Sequence, residues 1–344
     1  MSGPEGWVET VPTIAVAVPP DLREVFFSPS TWRELARLGE LRIPADDADL
    51  EDPKVLADVT GQADVLITSW SCAPVGAEVL AAAPRLRLVA HTGATIKPYV
   101  DDACFERGVR VTQAGTAMAY AVGEQALALT LALLHRIHRF DHALRSGQPW
   151  DSAVEAPPRR ELLGCPVGVV GASRTGRSYI GLVRALGAVV TVTDPYLTDS
   201  DADELGVRVA DLDTVMRSSR VVALHAPVLP ETRHMIGARE LALLPGGAML
   251  VNVARPELVD SDALLAELAA GRIDAALDVF DEEPLAVDHP LRTLPNVLLT
   301  PHQAGGTVES REWGGRIVVD EVTRFLADEP LEYEITHDQL SRMA

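Results

Sequence analysis

The sequence predicts an α/β fold made of two doubly wound domains, each built on a parallel sheet covered by helices. Short apolar runs alternate with helix-like stretches in the N-terminal third, and the same alternation begins again near residue 167. A glycine-rich turn at residues 171–176 joins a strand-like run to a helix-like stretch. The chain has 344 residues, of which 47% are hydrophobic, so it is long enough to form two domains with separate cores.

The first domain is discontinuous in this prediction. Its strand-like runs are residues 13–18, 64–68 and 86–90, with helix-like stretches between them, and helical character returns at residues 309–326. If this last helix packs on the first domain, the chain crosses between the domains twice. We therefore predict a flavodoxin-like domain of residues 1–118 and 307–344, with a second domain of residues 119–306 inserted into it.

The second domain begins with a long helix in this prediction, because residues 115–147 lack proline and residues 119–134 are almost continuously apolar. Its six strand-like runs, which predict a doubly wound sheet, are residues 167–170, 189–193, 221–224, 249–253, 275–279 and 297–300. His135, His138 and His142 would share one face of the long helix. Arginines lie between them and no set of carboxylate ligands accompanies them, so we expect a polar interface there and no metal.

Composition limits the possible partners and compartments. The formal net charge of −20 argues against nucleic acid or an anionic membrane surface, because both attract clustered Lys and Arg. Cys72, Cys104 and Cys165 are odd in number and widely spaced, which indicates neither a disulfide framework nor a metal site. We find no signal-peptide pattern and expect no stretch long and charge-free enough to span a bilayer. A cytoplasmic protein is the resulting expectation.

The glycine-rich turn has the spacing and the strand–turn–helix context of a dinucleotide-binding fingerprint. Gly171 permits the tight turn, and Gly176 permits close packing of helix on strand. The middle position, where the backbone approaches the pyrophosphate, is Ser173, whose Cβ crowds a phosphate although its hydroxyl is able to donate a hydrogen bond. The alternative interpretation is a plain strand-to-helix turn without a ligand.

An acidic residue follows at the distance expected of a ribose-binding group. Asp194 lies 18 residues after Gly176 and ends the next strand-like run. Its carboxylate would accept hydrogen bonds from ribose hydroxyls and repel a 2′-phosphate, and residues 195–197 supply no cation. The prediction is therefore NAD rather than NADP, bound by Gly171, Ser173, Arg174, Thr175, Gly176 and Asp194.

Three polar residues follow strand-like runs of the second domain, at the edge where doubly wound sheets bind ligands. Reduction of a ketone needs a proton donor, a cation for the substrate's carboxylate and developing alkoxide, and a carboxylate that keeps the donor protonated. His302, Arg255 and Glu283 fit these roles in that order. A single histidine at a strand end is more often structural, but the three residues together favour catalysis.

At this point the sequence resembles the D-isomer-specific 2-hydroxyacid dehydrogenases, from about residue 64 to residue 331. The motifs that agree in order and spacing are the turn at Gly171 and residues 224–227, 230–233, 250–260, 283–284 and 296–302. The resemblance implies an oxidoreductase that transfers hydride between nicotinamide and a small 2-keto or 2-hydroxy acid. It implies that Arg255 binds the substrate, that His302 is the acid/base paired with Glu283, and that further cofactor contacts come from Pro227, Thr232, Ala254 and Asp278.

The resemblance also implies a loop in the first, substrate-binding domain whose backbone N–H groups bind the substrate's carboxylate. This loop looks like residues 92–95, with Ala94 and Thr95 as the binding residues. Thr95 stands where the family has a second glycine, Lys97 where it has an acidic residue, and Pro256 where it has glycine after the arginine, so we expect a remodelled pocket. Trp70 and Trp313 are candidates for its walls, although packing roles are favoured.

Other functions remain open at this point. The resemblance implies a homodimer formed through the cofactor domain, but some proteins of this fold act instead as NAD(H)-sensing corepressors that bind peptides. A formate or phosphite dehydrogenase of the same superfamily is a second alternative. The formate branch carries glutamine at the position of Glu283, which disfavours it, and phosphite remains an alternative.

Overall fold

A computed structural model describes residues 11–155, 157–340 and 343. These residues form two compact units, one comprising the chain up to Ala117 and from Val308 onward, and the other comprising Met118–Thr307. All strand pairings within the two main sheets are parallel. Each unit is an open α/β sheet, which confirms the predicted fold class.

The first unit contains a five-stranded sheet with the order β2-β1-β3-β4-β5. Its strands are β1 (Thr13–Ala17), β2 (Glu40–Arg42), β3 (Val65–Thr68), β4 (Leu88–His91) and β5 (Arg110–Gln113). Its helices begin with α1 (Pro20–Phe26), α2 (Pro29–Leu38), α3 (Pro53–Thr60), α4 (Ala77–Ala82) and α5 (Asp102–Glu106). This order is that of flavodoxin-like sheets. β2 and β5 were not predicted, because neither is an apolar run in the sequence.

The second unit contains a seven-stranded sheet with the order β12-β11-β10-β9-β6-β7-β8. Its strands are β6 (Pro166–Val170), β7 (Val189–Thr193), β8 (Arg208–Val209), β9 (Val221–Leu224), β10 (Met249–Asn252), β11 (Asp274–Leu277) and β12 (Val297–Leu299). The six predicted strands are present, and the seventh, β8, is an exposed edge pair of two residues. The strand order reverses between β6 and β9, and doubly wound sheets bind ligands at such a reversal.

Helices cover the second sheet and complete the first unit. They are α6 (Gly115–Leu134), α7 (Ile137–Arg145), α8 (Trp150–Ala153), α9 (Arg174–Ala185), α10 (Asp199–Leu205), α11 (Leu212–Ser218), α12 (Ala238–Leu243), α13 (Ser261–Ala269), α14 (Val308–Leu326) and α15 (His337–Leu340). Alternate residues of β9 belong to two hydrophobic clusters, so the sheet of the second unit is buried on both faces. In the first unit α14 packs on α1, α2 and β4.

The prediction of a single helix over residues 115–147 is wrong, because the helix is interrupted between α6 and α7. Arg136 adopts a left-handed conformation with φ of 58°, which a continuous right-handed helix cannot include. Its buried guanidinium forms an ion pair with Asp274 at the start of β11, and Arg139 binds the same carboxylate at 2.6 Å. His135 therefore lies outside both helices. The expectation that it shares one helix face with His138 and His142 is wrong.

The most apolar helix belongs to the core of the second unit. By length and composition α6 could cross a membrane, so the expectation that no stretch is long and apolar enough is wrong. However, 56% of its apolar window is buried, and Ala126, Leu129, Leu133 and Leu134 pack against strands of the second sheet. A helix in a protein core can have the same length and apolar composition as a membrane-spanning helix, and α6 is such a core helix.

Candidate active site

Gly171 forms the turn between β6 and α9 with a φ of +95°, a conformation that favours glycine. A Cβ on Gly171 would lie 2.6 Å from the backbone nitrogen of Ala226, which follows β9, and a Cβ on Gly176 would collide with the carbonyl oxygen of Gly171. Both glycines are therefore required by close backbone contacts. The turn lies at the point where the strand order reverses, with the N-terminus of α9 beside it, as a pyrophosphate site requires.

Ser173 is the N-cap of α9 and does not need glycine's freedom, since its φ is −62°. Its hydroxyl donates a hydrogen bond of 2.8 Å to the carbonyl of His225, and it lies 3.1 Å from the hydroxyl of Thr175. The side chain is thus held against the end of β9 rather than left free at the turn. The serine in place of glycine is compatible with the backbone of a dinucleotide-binding turn.

Asp194 is positioned on the same turn by backbone hydrogen bonds. One carboxylate oxygen accepts a hydrogen bond of 2.6 Å from the N–H of Ala172, and the other accepts one of 2.8 Å from the N–H of Tyr196. Each carboxylate oxygen has more than one acceptor direction, so ribose hydroxyls are still able to donate to it. The structure therefore brings Asp194 together with Gly171, Ser173 and Gly176.

The other predicted cofactor residues lie near this turn or after neighbouring strands. Arg174 begins α9 with an exposed side chain. Pro227 follows β9, and the hydroxyl of Thr232 donates a hydrogen bond of 2.7 Å to its carbonyl, which closes the loop between them. Ala254 lies in the turn after β10.

His225 is a buried residue of this site, directly after β9. Its Nδ1 lies 3.2 Å from the hydroxyl of Thr175, its ring packs on Tyr179, and its Nε2 has no hydrogen-bond partner in the described structure. Burial lowers the pKa of His225 to about 3, so the imidazole is neutral. A neutral ring beside the turn adds no charge to a phosphate site.

The turn after β10 holds Arg255 in an extended conformation, with φ of −148° and ψ of 143°, as the following Pro256 predicts. The buried amide of Asn252 accepts from the N–H of Ala254 at 3.1 Å and donates to the carbonyl of Arg255 at 2.9 Å. Burial lowers the pKa of the Arg255 guanidinium, and the nearby carboxylates of Glu257 and Glu283 oppose that shift. The arginine remains a cation within the electrostatic reach of Glu283.

His302 and Glu283 form a direct pair. Nδ1 of His302 lies 2.7 Å from a carboxylate oxygen of Glu283, and the second oxygen of Glu283 accepts a hydrogen bond of 3.0 Å from the N–H of Phe280. His302 has a φ of 53°, and 46% of its side chain is exposed. Because Glu283 fixes Nδ1, the other ring nitrogen, Nε2, is the one available to a substrate.

Asp278 is fully buried at the end of β11 and organises the segment that carries His302. Its carboxylate accepts hydrogen bonds from the hydroxyl of Thr300 and from the N–H groups of Gln303 at 3.1 Å and Ala304 at 2.9 Å. Its carbonyl accepts a further bond of 2.8 Å from the N–H of His302. The resemblance implied a cofactor contact for Asp278, and in the structure its carboxylate accepts three hydrogen bonds from its own chain.

The predicted substrate loop lies in the first unit, directly after β4. The N–H of Thr92 donates to the carbonyl of Thr68 at 2.9 Å, and the N–H of Ala114 donates to the carbonyl of Gly93 at 3.1 Å, so both neighbouring strands hold the loop. Ala94 and Thr95 are half-buried, and Lys97 is exposed at the start of a short 3-10 helix. Trp70 is half-buried against Phe26, whereas 45% of Trp313 is exposed.

Metal ligation has no support in residues 11–155, 157–340 and 343, where no group of three or more His, Cys, Asp or Glu side chains is placed to hold an ion. The site therefore consists of a dinucleotide-binding turn and a histidine–carboxylate pair at the edge of one doubly wound sheet. These features define a nucleotide-binding α/β oxidoreductase fold.

Comparison with known proteins identifies the family. Residues 127–304 match the D-isomer specific 2-hydroxyacid dehydrogenase, NAD binding domain family. The chain belongs to the D-isomer specific 2-hydroxyacid dehydrogenase family, which confirms the resemblance seen in the sequence.

Individual relatives agree with this membership. The chain is 37% identical over 304 residues to D-3-phosphoglycerate dehydrogenase of Mycobacterium tuberculosis, covering 88% of this chain and 56% of that protein. It is 32% identical to glyoxylate reductase of Korarchaeum cryptofilum, covering 83% and 86%. The 2-hydroxyacid dehydrogenase structure from Ketogulonicigenium vulgare is 28% identical with a TM-score of 0.77, covering 95% and 99%. The chain spans about half the length of the first phosphoglycerate dehydrogenases it matches.

Proposed function

We propose that this chain is an NAD-dependent oxidoreductase that transfers hydride between nicotinamide and a small 2-keto or 2-hydroxy acid, with the D-specificity of its family. The observation that carries the proposal is the contact of 2.7 Å between Nδ1 of His302 and Glu283, at the edge of the sheet whose reversal point holds the dinucleotide turn. The pair lies within the electrostatic reach of Arg255, so a proton donor, a carboxylate and a cation occur together at this edge of the sheet.

The cofactor would be held by the turn at Gly171 and the N-terminus of α9, where backbone N–H groups and the helix dipole favour a pyrophosphate. Bound NADH supplies the hydride. Asp194 would accept from the ribose hydroxyls while it holds the turn through Ala172. The remaining proposed contacts come from Ser173, Arg174, Thr175, Gly176, Pro227, Thr232, Ala254 and Asp278.

The substrate's carbonyl would lie against Arg255 and His302. The guanidinium attracts the carboxylate and the oxygen that gains negative charge, and its partial burial strengthens that attraction. In reduction, the imidazolium donates the Nε2 proton to the carbonyl oxygen while Glu283 stabilises the positive charge at Nδ1. In oxidation the neutral imidazole takes the proton back. Ala94 and Thr95 would bind the carboxylate through backbone N–H groups.

NADH should be preferred over NADPH, because the carboxylate of Asp194 repels a 2′-phosphate. The measurement is the dissociation constant of each reduced cofactor by fluorescence titration. Asp194→Asn keeps an acceptor for the N–H of Ala172 and removes the charge. It should therefore reduce the difference between the dissociation constants of NADH and NADPH without abolishing NADH binding. Equal or tighter binding of NADPH to the unaltered protein would contradict the assignment.

The central test is reduction of 2-keto acids with NADH. Glu283→Gln keeps a hydrogen-bond acceptor but removes the charge that stabilises the protonated ring during proton donation, so kcat/KM should fall by roughly 10-fold or more. Glu282→Gln is the matched control, because this exposed neighbour lies outside the pair. An unchanged kcat/KM in Glu283→Gln, or peptide binding without turnover of any keto acid, would favour the corepressor alternative.

A homodimer is the proposed assembly, in the cytoplasm. The apolar side chains of Ile137, Leu144, Trp150 and Val154, on α7, α8 and the residue that follows, are 57%, 49%, 71% and 56% exposed. Exposed apolar clusters on soluble proteins mark interfaces, and a second copy supplies the same surface in return. Light scattering should show a dimer that Trp150→Ser weakens and Val287→Ser, an exposed apolar control, does not. A monomer at micromolar concentration would contradict this.

A further inference from the structure

The loop proposed to bind the substrate's carboxylate is fixed against the first sheet. The N–H of Thr92 bonds to the carbonyl of Thr68, and the hydroxyl of Thr92 donates to the hydroxyl of Ser69 at 2.8 Å. The N–H of Ala114, after β5, donates to the carbonyl of Gly93. A loop held on both sides has little freedom to adapt to different substrates, so its immediate neighbours decide what fits.

Trp70 and His91 are those neighbours. A Cβ on Gly93 would lie 2.9 Å from Nε1 of Trp70 and 2.8 Å from Nε2 of His91, so both rings touch the residue that precedes Ala94. Trp70 also packs on Phe26, with ring centroids 5.5 Å apart, yet it is only half-buried. The indole is thus held in place beside the loop and remains partly exposed.

The imidazole beneath the loop carries no charge. His91 is fully buried, stacks on Tyr99 with ring centroids 4.8 Å apart, and lies 3.0 Å through Nδ1 from the hydroxyl of Thr68. Burial lowers the pKa of His91 to about 3, and its Nε2 has no hydrogen-bond partner in the described structure. A phosphate on the substrate is bound best by Arg or Lys donors, and His91 supplies no such charge beneath the loop.

Resting on the proposed function, we propose that the first unit selects a 2-keto acid with a bulky, apolar side chain, and that Trp70 is the residue that determines this specificity. The side chain would pack on the exposed part of the indole while the loop binds the carboxylate. His91 packs beneath the loop and adds no charge there.

The test compares kcat/KM for phenylpyruvate, 4-methyl-2-oxopentanoate, glyoxylate and 3-phosphooxypyruvate with NADH. We expect either bulky acid to exceed glyoxylate and the phosphate-bearing acid by at least about 10-fold, the effect of burying two or more methylene groups. A preference for glyoxylate or for the phosphate-bearing acid would overturn this inference alone. Absence of turnover with all four acids would overturn the proposed function as well.

Variants separate specificity from folding. Trp70→Ala should raise KM for the bulky acids about 10-fold or more and change glyoxylate reduction little, since glyoxylate has no side chain to bury. Trp70→Phe should restore most of the preference. Trp32→Ala is the matched control, because Trp32 is a half-buried tryptophan of the same unit that packs on Phe27 instead. An equal loss on glyoxylate and phenylpyruvate in Trp70→Ala would show a merely structural tryptophan and overturn the inference.

Discussion

Asp278→Asn tests whether the buried carboxylate positions His302, the proposed general acid. One oxygen of Asp278 accepts from the hydroxyl of Thr300 and the N–H of Gln303, and the other accepts from the N–H of Ala304. An asparagine oriented to keep the first pair presents its NH₂ group to the N–H of Ala304, so one charge-assisted bond is lost and two donors face each other. The opposite orientation loses two bonds.

The expected cost follows from this count. A hydrogen bond to a charged group contributes about 1.5–3 kcal/mol, and a buried donor left without an acceptor costs about 1–3 kcal/mol. We expect the free energy of unfolding to fall by about 3 kcal/mol, and kcat/KM to fall at least about 10-fold because the segment carrying His302 shifts. Urea denaturation and steady-state reduction measure the two effects. Asp288→Asn, at an exposed position, is the control. Unchanged stability and kcat/KM in Asp278→Asn would refute the reasoning.

Further outcomes are expected at other positions. His302→Ala should lower kcat/KM about 10²- to 10⁴-fold, the usual contribution of a general acid, and a normal rate would exclude that role. Arg255→Lys should lose activity despite keeping its charge, because lysine cannot make the two-pronged carboxylate contact; a wild-type kcat/KM would contradict this. Asp274→Ala should cost about 3–5 kcal/mol in urea unfolding, because two arginines lose their carboxylate; a cost under 1 kcal/mol would contradict it. His91 and His225 have pKa values lowered from 6.5 to about 3, so they stabilise the neutral fold above pH 6.5 and lose that contribution as pH falls towards 3. Each histidine should change the free energy of unfolding by about 1.4 kcal/mol per pH unit in this range, as measured by urea denaturation. A free energy of unfolding that does not change between pH 6.5 and pH 5 would contradict this prediction.

The fold class was predictable because the central strands are apolar runs buried on both faces. β6 and β9 appear in the sequence as valine-rich segments, as is typical of parallel sheets with two covered faces. β2 and β8 are short edge strands of three and two residues with partly or fully exposed side chains, so no apolar pattern marks them. Their position is set by pairing with a neighbour, which the local sequence does not show.

The helix break at Arg136 could not be predicted for a related reason. No glycine or proline marks it, and the compensating carboxylate, Asp274, lies 138 residues further along the chain. The left-handed conformation is retained because a buried ion pair stabilises it, and such a pair depends on the completed sheet.

The candidate site was predictable in its residue types and less so in its connections. Motif spacing indicated that His302 and Glu283 belong together, and their contact is present in the structure. The occupied carboxylate of Asp278 and the bridging amide of Asn252 were not foreseen, because both act on backbone groups that have no sequence signature. The neutral state of His91 depends on burial by distant residues and was likewise not evident in the sequence.

The hydrogen bond between Asp194 and Ala172 would constrain any attempt to redesign the proposed preference for NADH. A common design would replace the acidic residue with a small side chain and add an arginine for the extra phosphate. Here that replacement would also release the backbone of the turn at Gly171, so affinity for both cofactors would fall together. A successful redesign needs a residue that still accepts from the N–H of Ala172, such as asparagine or serine, before any positive charge is introduced. In this chain, the proposed selectivity for NADH and the shape of the turn at Gly171 depend on the same residue, so a redesign has to treat both together.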